Sequence, residues 1–276
     1  MQRKGTFIKN MFFRPIKRCI SASLVLAGHV NTRKGIPILL YHSLDNSGSP
    51  ISITPKMFKK QMEYLRDKGY RTINMVKFIN SLYAEIDSTE NMIILTFDDG
   101  FKSVYTTAFP ILRDYGFTAT VFLATNYIGR RCEWETDDTI PDIPMLSWDE
   151  VREMSKYGIE FGAHSCSHPH LTKLSINEAR KEILNSKLEI ETNIDQSIHL
   201  FCYPYGDFND EIKQIVKECG FLGACNGVDF SLTHSKECLY GFKRIGMCHF
   251  NSLLDFRAGL AGTYNFYIRL KRAFLT

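Results

Sequence analysis

Seven short apolar segments, separated by stretches with helical spacing, limit most strongly what this chain can fold into. They span residues 36–41, 92–97, 117–124, 159–163, 197–203, 221–225 and 243–247. The stretches between them include sets such as Phe58, Met62 and Leu65, whose spacing of i, i+4 and i+7 is typical of an amphipathic helix. Short apolar strands that alternate with helices indicate βα units around a mostly parallel sheet. The sequence therefore predicts an α/β fold of about seven such units.

Polar residues of the kinds that catalyse reactions or bind metals directly follow four of these segments. They are His42 after 36–41, Asp98 and Asp99 after 92–97, His164 and His168 after 159–163, and Pro204-Tyr205-Gly206 after 197–203. In barrels built from βα units, the loops that leave the carboxyl ends of the strands converge on one face, where catalytic groups gather. We therefore expect these side chains to share one rim of the fold.

Two histidines and a carboxylate form a common zinc site in hydrolases. His164-x-x-x-His168 supplies the imidazoles, and one of Asp98 and Asp99 supplies the carboxylate. A water bound to zinc has a pKa of about 7 instead of about 15.7, which makes it a usable nucleophile. The other aspartate would then accept the proton of that water as general base. Because both motifs occur at strand ends, the pattern favours a metal site over a surface pair and a simple turn.

Three segments around these residues resemble the motifs of the polysaccharide deacetylase family, also called the NodB-homology domain or carbohydrate esterase family 4. In family order they are Thr96-Phe97-Asp98-Asp99-Gly100, Gly162-Ala163-His164-Ser165-Cys166-Ser167-His168 and Tyr203-Pro204-Tyr205-Gly206. The resemblance implies a deformed (β/α)7 barrel, similar to a TIM barrel, and metal-dependent removal of acetyl groups from sugars. It covers roughly residues 36–250, which we expect to be the catalytic domain.

The resemblance also implies a role for each motif residue. Asp98 matches the general base of the family, and Asp99, His164 and His168 match its metal ligands. The backbone N–H of Tyr205 matches the group that helps to stabilise the oxyanion. Ligand type alone discriminates poorly among divalent ions, and we expect Zn²⁺.

The chain departs from the family pattern at two places. Much of the family has an arginine two residues before the motif proline, where it orients the base, and Cys202 occupies that position here. Arg244 is a candidate substitute, but because most charged side chains are solvated, we expect it to be a structural or surface residue. The aromatic fourth motif of the family has no clear match in this chain.

Two histidines compete for the role of the general acid that protonates the departing amine. His249, in Met247-Cys248-His249, fits the late apolar-x-His motif that is usual in the family. His42 resembles the histidine of a rearranged subgroup that includes the poly-N-acetylglucosamine deacetylases of biofilm systems. The helix that follows it and the arginine-free Tyr-Pro-Tyr-Gly segment resemble the same subgroup, so we favour His42.

Residues outside the motifs offer candidates for contact with a sugar. Long loops are often binding loops, and the predicted loop 126–146 contains Tyr127 and Trp134. His170 follows His168 after an intervening proline, which favours an extended path. We therefore expect His170 to be a polar loop residue rather than a metal ligand.

The charge of the chain is concentrated at its ends. The net charge is +4, yet residues 1–44 carry eight Lys and Arg and residues 256–276 carry four, with no acidic residue in either range. An acidic body with basic ends argues against a nucleic-acid partner and permits peripheral contact with an anionic membrane surface. We expect a basic N-terminal segment, 1–35, with a weak resemblance to a signal peptide and no clear cleavage site. Residues 251–276 are expected to form a basic helical tail.

These features predict a metal-dependent N-deacetylase that acts on N-acetylated polysaccharide of the GlcNAc type or on a glycan precursor. Two alternatives stay open at this point, since fold does not fix function: a hydrolase of a small amide or ester, and a non-catalytic glycan-binding relative. The location is expected to be the cell envelope, where such a polymer lies, or the cytoplasm, which the eight cysteines favour.

Overall fold

A closed barrel of seven parallel strands forms the centre of the molecule. The computed structural model of the chain describes residues 35–83, 91–134, 143–228 and 238–261. Neighbouring barrel strands pair in chain order, and β1 pairs with both β10 and β5, which closes the ring. The barrel strands are β1 (Ile38–Tyr41), β5 (Met92–Phe97), β6 (Thr120–Leu123), β7 (Glu160–Ala163), β8 (Leu200–Cys202), β9 (Gly223–Val228) and β10 (Phe242–Gly246). Each overlaps one of the seven predicted segments, so the predicted (β/α)7 fold is confirmed.

Three very short strands lie outside the ring. Two of them, β2 (Ser43–Leu44) and β3 (Ser52–Ile53), pair with each other in a separate two-stranded sheet directly after β1. The third, β4 (Arg71–Thr72), pairs with the amino-terminal end of β5.

Helices follow most of the strands. They are α1 (Pro55–Asp67), α2 (Met75–Ser81), α3 (Phe109–Asp114), α4 (Trp148–Lys156), α5 (Ile176–Ile194), α6 (Asp210–Glu218) and α7 (Leu253–Leu260). A π-helical turn, Val104–Ala108, leads into α3. Capping boxes begin α4 at Ser147 and α5 at Ser175. Among the described residues, no helix has both the length and the apolarity that are needed to cross a membrane.

Aromatic packing fixes α1 against the two strands that lead into His42 and Asp98. Phe58 of α1 lies 5.2 Å from Tyr41 of β1 and 5.9 Å from Phe97 of β5, measured between ring centroids. All three side chains are fully buried. Burial of one such side chain contributes about 1.5–3 kcal/mol, so this contact holds the ends of β1 and β5 in register.

Residues 35–250 form one compact unit, and α7 belongs to a second. The predicted N-terminal segment lies outside the described residues, apart from Gly35, and so does the tail beyond residue 261. The predicted membrane contact depends on these basic ends and stays a prediction.

Candidate metal centre

The carboxyl ends of the barrel strands surround a cavity of about 190 Å³. The motif residues to which the family resemblance assigns a role line this cavity, together with His42. These residues are His42, Asp98, Asp99, His164, His168 and Tyr205. The cavity lies at the end of the barrel where βα folds carry their active sites.

A sharp turn at the end of β5 presents the two aspartates. The N–H of Asp98 donates to the carbonyl of Tyr41 at 3.0 Å, which extends the β1–β5 pairing by one residue. Asp99 and Gly100 then adopt left-handed φ angles of 73° and 84°. Aspartate tolerates this conformation, whereas a Cβ atom at Gly100 would lie only 2.8 Å from Cδ2 of Leu123. The turn therefore requires glycine at position 100, and it places Asp98 and Asp99 at the rim of the barrel.

Asp99, His164 and His168 form a compact, buried triangle of ligand atoms. Oδ1 of Asp99 lies 3.4 Å from Nε2 of His164 and 3.5 Å from Nε2 of His168. The two Nε2 atoms are 3.2 Å apart. Two ligand atoms bound to a tetrahedral ion at about 2.0–2.1 Å lie roughly 3.3 Å from each other, so the triangle fits one face of a zinc site.

The two histidines differ in hydrogen bonding and in pKa. Nδ1 of His164 donates to the carbonyl of Cys202 at 2.8 Å, which directs the lone pair of its Nε2 towards the triangle. Burial, together with the neighbouring His164, lowers the pKa of His168 to about 3. His168 is therefore suited to bind an ion as a neutral imidazole, whereas the neighbouring Cys202 and Asp99 raise the pKa of His164, which has to release a proton when an ion binds.

Asp98 does not share this arrangement, because it is paired with an arginine. Nη1 of Arg244 donates to Oδ1 of Asp98 at 2.7 Å, and Nη2 donates to Oδ2 at 2.6 Å. Arg244 also donates to Thr96 Oγ1 and to the carbonyl of Asn226. Burial alone would raise the pKa of Asp98, but the Arg244 guanidinium outweighs burial and holds this pKa well below its usual range.

Arg244 is buried and bonded to Asp98, so the expectation of a surface residue is wrong. Its side chain is 0% exposed and comes from β10, which β9 separates from the point at the end of β8 where the family arginine would stand. Cys202 occupies that point, and its Sγ lies 3.3 Å from Oδ2 of Asp98 and 3.1 Å from Nη2 of Arg244. The sequence does contain a sign of this role, because Arg244 is a charged residue within a predicted strand, where a buried charge needs a partner.

A second group of ligand types, Asp98, His164 and Cys202, also lies close together. It is less suited to an ion, because both oxygens of Asp98 are already bonded to Arg244. Burial raises the pKa of the Cys202 thiol to about 11, and a thiol must lose its proton to bind a metal. The Asp99 triangle is therefore the metal site that the geometry favours.

The two candidate general acids lie in different environments. His42 is half-buried at the end of β1 and lines the cavity. His249 is exposed, packs edge-on against Phe250 at 5.4 Å and is not among the residues that line the cavity.

Aromatic rings surround His168 at the mouth of the cavity. Trp134 and Tyr205 each have a ring centroid 4.6 Å from that of His168. Tyr205, 47% exposed, also stacks on His170 at 4.1 Å. His170 in turn bonds through Nδ1 to Asp207 at 3.1 Å. This chain thus places aromatic side chains beside the candidate metal site, although the aromatic fourth motif of the family has no clear match in its sequence.

Comparison with known proteins agrees with this geometry. The family model "Polysaccharide deacetylase" matches residues 85–224. YxkH of Bacillus subtilis (strain 168) is 28% identical over 186 residues, which are 67% of this chain and 62% of that protein. A poly-β-1,6-N-acetyl-D-glucosamine N-deacetylase of Staphylococcus aureus (strain MRSA252) is 26% identical over 180 residues, which are 61% of this chain and 59% of that protein. The chain spans about three fifths of the length of these curated relatives.

Solved structures share the fold. The Streptococcus pyogenes deacetylase PplD, in complex with acetate, superposes with a TM-score of 0.72 at 23% identity, covering 82% of this chain and 98% of that one. IcaB from Ammonifex degensii superposes with a TM-score of 0.71 at 21% identity, covering 83% and 97%. Since the family match extends over half of the sequence and its motif residues meet at one barrel mouth, the chain belongs to the polysaccharide deacetylase family.

Proposed function

We propose that this protein is a metal-dependent N-deacetylase of GlcNAc-type polysaccharide or of a glycan precursor. The observation that carries the proposal is the Asp99–His164–His168 triangle beside an arginine-paired Asp98 at an open cavity. The Staphylococcus aureus relative, named a poly-β-1,6-N-acetyl-D-glucosamine N-deacetylase, supports the substrate class.

The proposed reaction is hydrolysis of an acetamide, in which water replaces the sugar nitrogen on the acetyl carbon. A divalent ion, for which we propose Zn²⁺, would be held by Asp99, His164 and His168 and would supply Lewis acidity to the carbonyl and to water. Asp98 stays ionised because of Arg244. Its Oδ1 accepts one bond from Arg244, and a carboxylate oxygen has a second acceptor site, which can take the proton of the water.

Two further groups complete the proposed reaction. The backbone N–H of Tyr205 donates to the acetyl oxygen as negative charge develops there. His42 gives a proton to the nitrogen as the carbon–nitrogen bond breaks, so that the products are acetate and the sugar amine. His42 is proposed over His249 because it lines the cavity.

Acetate release tests the proposal directly. The purified protein, stripped with a chelator and then reloaded with Zn²⁺, is assayed on β-1,4-linked and β-1,6-linked GlcNAc oligomers. We expect release with metal and none without it. If simple amides or esters are hydrolysed and the oligomers are not, the substrate class is wrong. If the oligomers bind equally with and without metal and no acetate appears, the protein is a binding relative.

The choice of general acid gives a separate prediction. His42→Ala is expected to lower kcat for an N-acetylated oligomer by about 10²–10⁴-fold, because the amine then leaves without a positioned proton donor. His249→Ala is expected to keep wild-type activity, since the His249 side chain is exposed and does not line the cavity. Steady-state kinetics on both variants provide the measurement.

An activated ester provides the control for this prediction. 4-Nitrophenolate leaves without a proton, so His42→Ala should keep most of the activity of the wild type on 4-nitrophenyl acetate. An equal loss on ester and amide would show that His42 acts in binding or structure. A large loss in His249→Ala would transfer the acid role to that residue.

A further inference from the structure

The loop between the two histidines of the metal site has an uncommon backbone. Ser165 and His168 adopt left-handed φ angles of 62° and 57°. Residues other than glycine rarely adopt this conformation, and they keep it only where the surrounding structure imposes it. The geometry of the metal site depends on this loop, because it determines how far Nε2 of His168 lies from Nε2 of His164, which is 3.2 Å.

A carboxylate from α5 binds the middle of this loop. Oε2 of Glu182 accepts the backbone N–H of Cys166 at 2.9 Å and that of Ser167 at 2.8 Å. Its Oε1 accepts the hydroxyl of Ser167 at 2.8 Å. Hydrogen bonds to an ionised acceptor are stronger than neutral ones. Successive N–H groups that converge on one anion also hold the backbone between them in a fixed curve.

Backbone N–H groups of the loop that follows β6 bind the carbonyl groups of residues 165 and 166. The N–H of Thr125 donates to the carbonyl of Ser165 at 3.2 Å, and that of Asn126 donates to the carbonyl of Cys166 at 3.0 Å. The hydroxyl of Ser165 accepts the N–H of His168 at 3.0 Å. The carbonyls of Ser165 and Cys166 are therefore bound by backbone N–H groups, while Glu182 is the side chain from outside the loop that accepts the N–H groups of Cys166 and Ser167.

We propose that Glu182 is a positioning residue of the metal site, which holds the loop 165–168 in the conformation that brings His168 to His164. This inference rests on the proposed function, because it presupposes that these histidines bind a metal. Glu182 is not among the residues that line the cavity, and its carboxylate acts through the backbone N–H groups of Cys166 and Ser167 and the hydroxyl of Ser167. Outer partners of metal ligands commonly change metal affinity by about 10–100-fold when they are removed.

The test is the dissociation constant for Zn²⁺, measured by competition with a chelating indicator on the full chain. Glu182→Ala is expected to raise this constant by about 10–100-fold. Glu182→Gln is expected to raise it much less, because the amide oxygen still accepts the N–H groups of Cys166 and Ser167. Glu189→Gln is the matched control on the same helix. No hydrogen bond joins the carboxylate of Glu189 to the loop among the described residues, so no change is expected.

Further measurements separate a positioning role from a structural one. Thermal unfolding of the metal-free proteins shows whether each variant is folded. If Glu182→Ala does not fold, Ser167→Ala replaces it in the test. This substitution removes only the hydroxyl contact and is expected to raise the dissociation constant for Zn²⁺ by a smaller factor. Graded weakening in the order Ala, Gln, control supports the proposal. Equal zinc affinity in every folded variant overturns it.

The failure of this inference differs from the failure of the proposed function. If the wild type binds no Zn²⁺, the proposed function and the inference fall together. If the wild type binds Zn²⁺ and the variants bind it equally well, only the role of Glu182 is wrong. If the variants lose affinity but the zinc-loaded wild type releases no acetate, the positioning role stands and the substrate assignment is wrong.

Discussion

Asp99→Ala should lose both zinc binding and acetate release, whereas its neighbour Asp98→Asn should lose acetate release and keep the zinc. Asp99 supplies the only carboxylate oxygen of the ligand triangle, 3.4 Å and 3.5 Å from the two histidines. Its removal leaves two neutral ligands, so turnover should fall to the level of the metal-free protein. Asparagine at position 98 keeps the shape of aspartate but cannot accept a proton, which should lower kcat by about 10²–10⁴-fold.

The prediction is tested by comparing the two variants in zinc content and in acetate release. Zinc content by mass spectrometry and acetate release should be measured on both, with Asp149→Asn, an exposed aspartate at the start of α4, as the control for the change in charge. If Asp98→Asn loses zinc while Asp99→Ala keeps it, the roles of the two aspartates are reversed. If Asp98→Asn retains full activity, another group accepts the proton.

The strands of this fold are readable in the sequence for a physical reason. Parallel barrel strands are covered by helices on one side and by core on the other, so they occur as nearly continuous apolar runs. Ile38–Tyr41 and Met92–Phe97, for example, are buried along almost their whole length. The polar site residues can also be recognised in the sequence, because they follow these apolar runs directly in short contiguous motifs. The seven strands and the meeting of the motif residues at one rim could therefore be predicted.

Short elements are harder to predict, because they contain too few residues to show a period. The helix Met75–Ser81 has seven residues and begins at an Asn74 cap, and β4 has only two residues. Neither could be predicted from spacing. No local sequence pattern predicts the bond between Arg244 and Asp98, because it joins β10 to the end of β5, two strands that are far apart in the sequence and both pair with β1. A contact of this kind depends on which strands become neighbours around the closed ring.

The loss of this arginine should change both stability and the pH dependence of activity. Arg244→Met removes one partner of a fully buried ion pair, which typically costs about 3–5 kcal/mol, or a fall in Tm on the order of 10 °C for a chain of this size. Arg180→Met, which breaks an exposed pair with Glu218, is the control and should leave Tm close to that of the wild type. Zinc binding should persist in Arg244→Met, since Arg244 does not contact the ligand triangle.

The pH dependence distinguishes positioning of the base from general stabilisation. In the wild type, Arg244 holds the pKa of Asp98 below its usual range, so the stability from this pair is present above pH 4 and is lost as the pH falls through the lowered pKa. Without Arg244, the largest remaining influence on Asp98 is burial, which raises its pKa, so we expect the carboxyl to take up its proton at a higher pH. The acid limb of kcat/KM should therefore move to higher pH in Arg244→Met.

The sign of the stability change should follow the same titration. The difference in Tm between wild type and Arg244→Met should be largest near pH 7–8, where Asp98 is charged and unpaired in the variant. It should shrink as the pH falls, because the variant becomes neutral at Asp98 while the wild type loses its ion pair only in stronger acid. A constant difference in Tm, with an unmoved acid limb, would show that Arg244 supports the barrel but does not hold Asp98 ready to accept a proton.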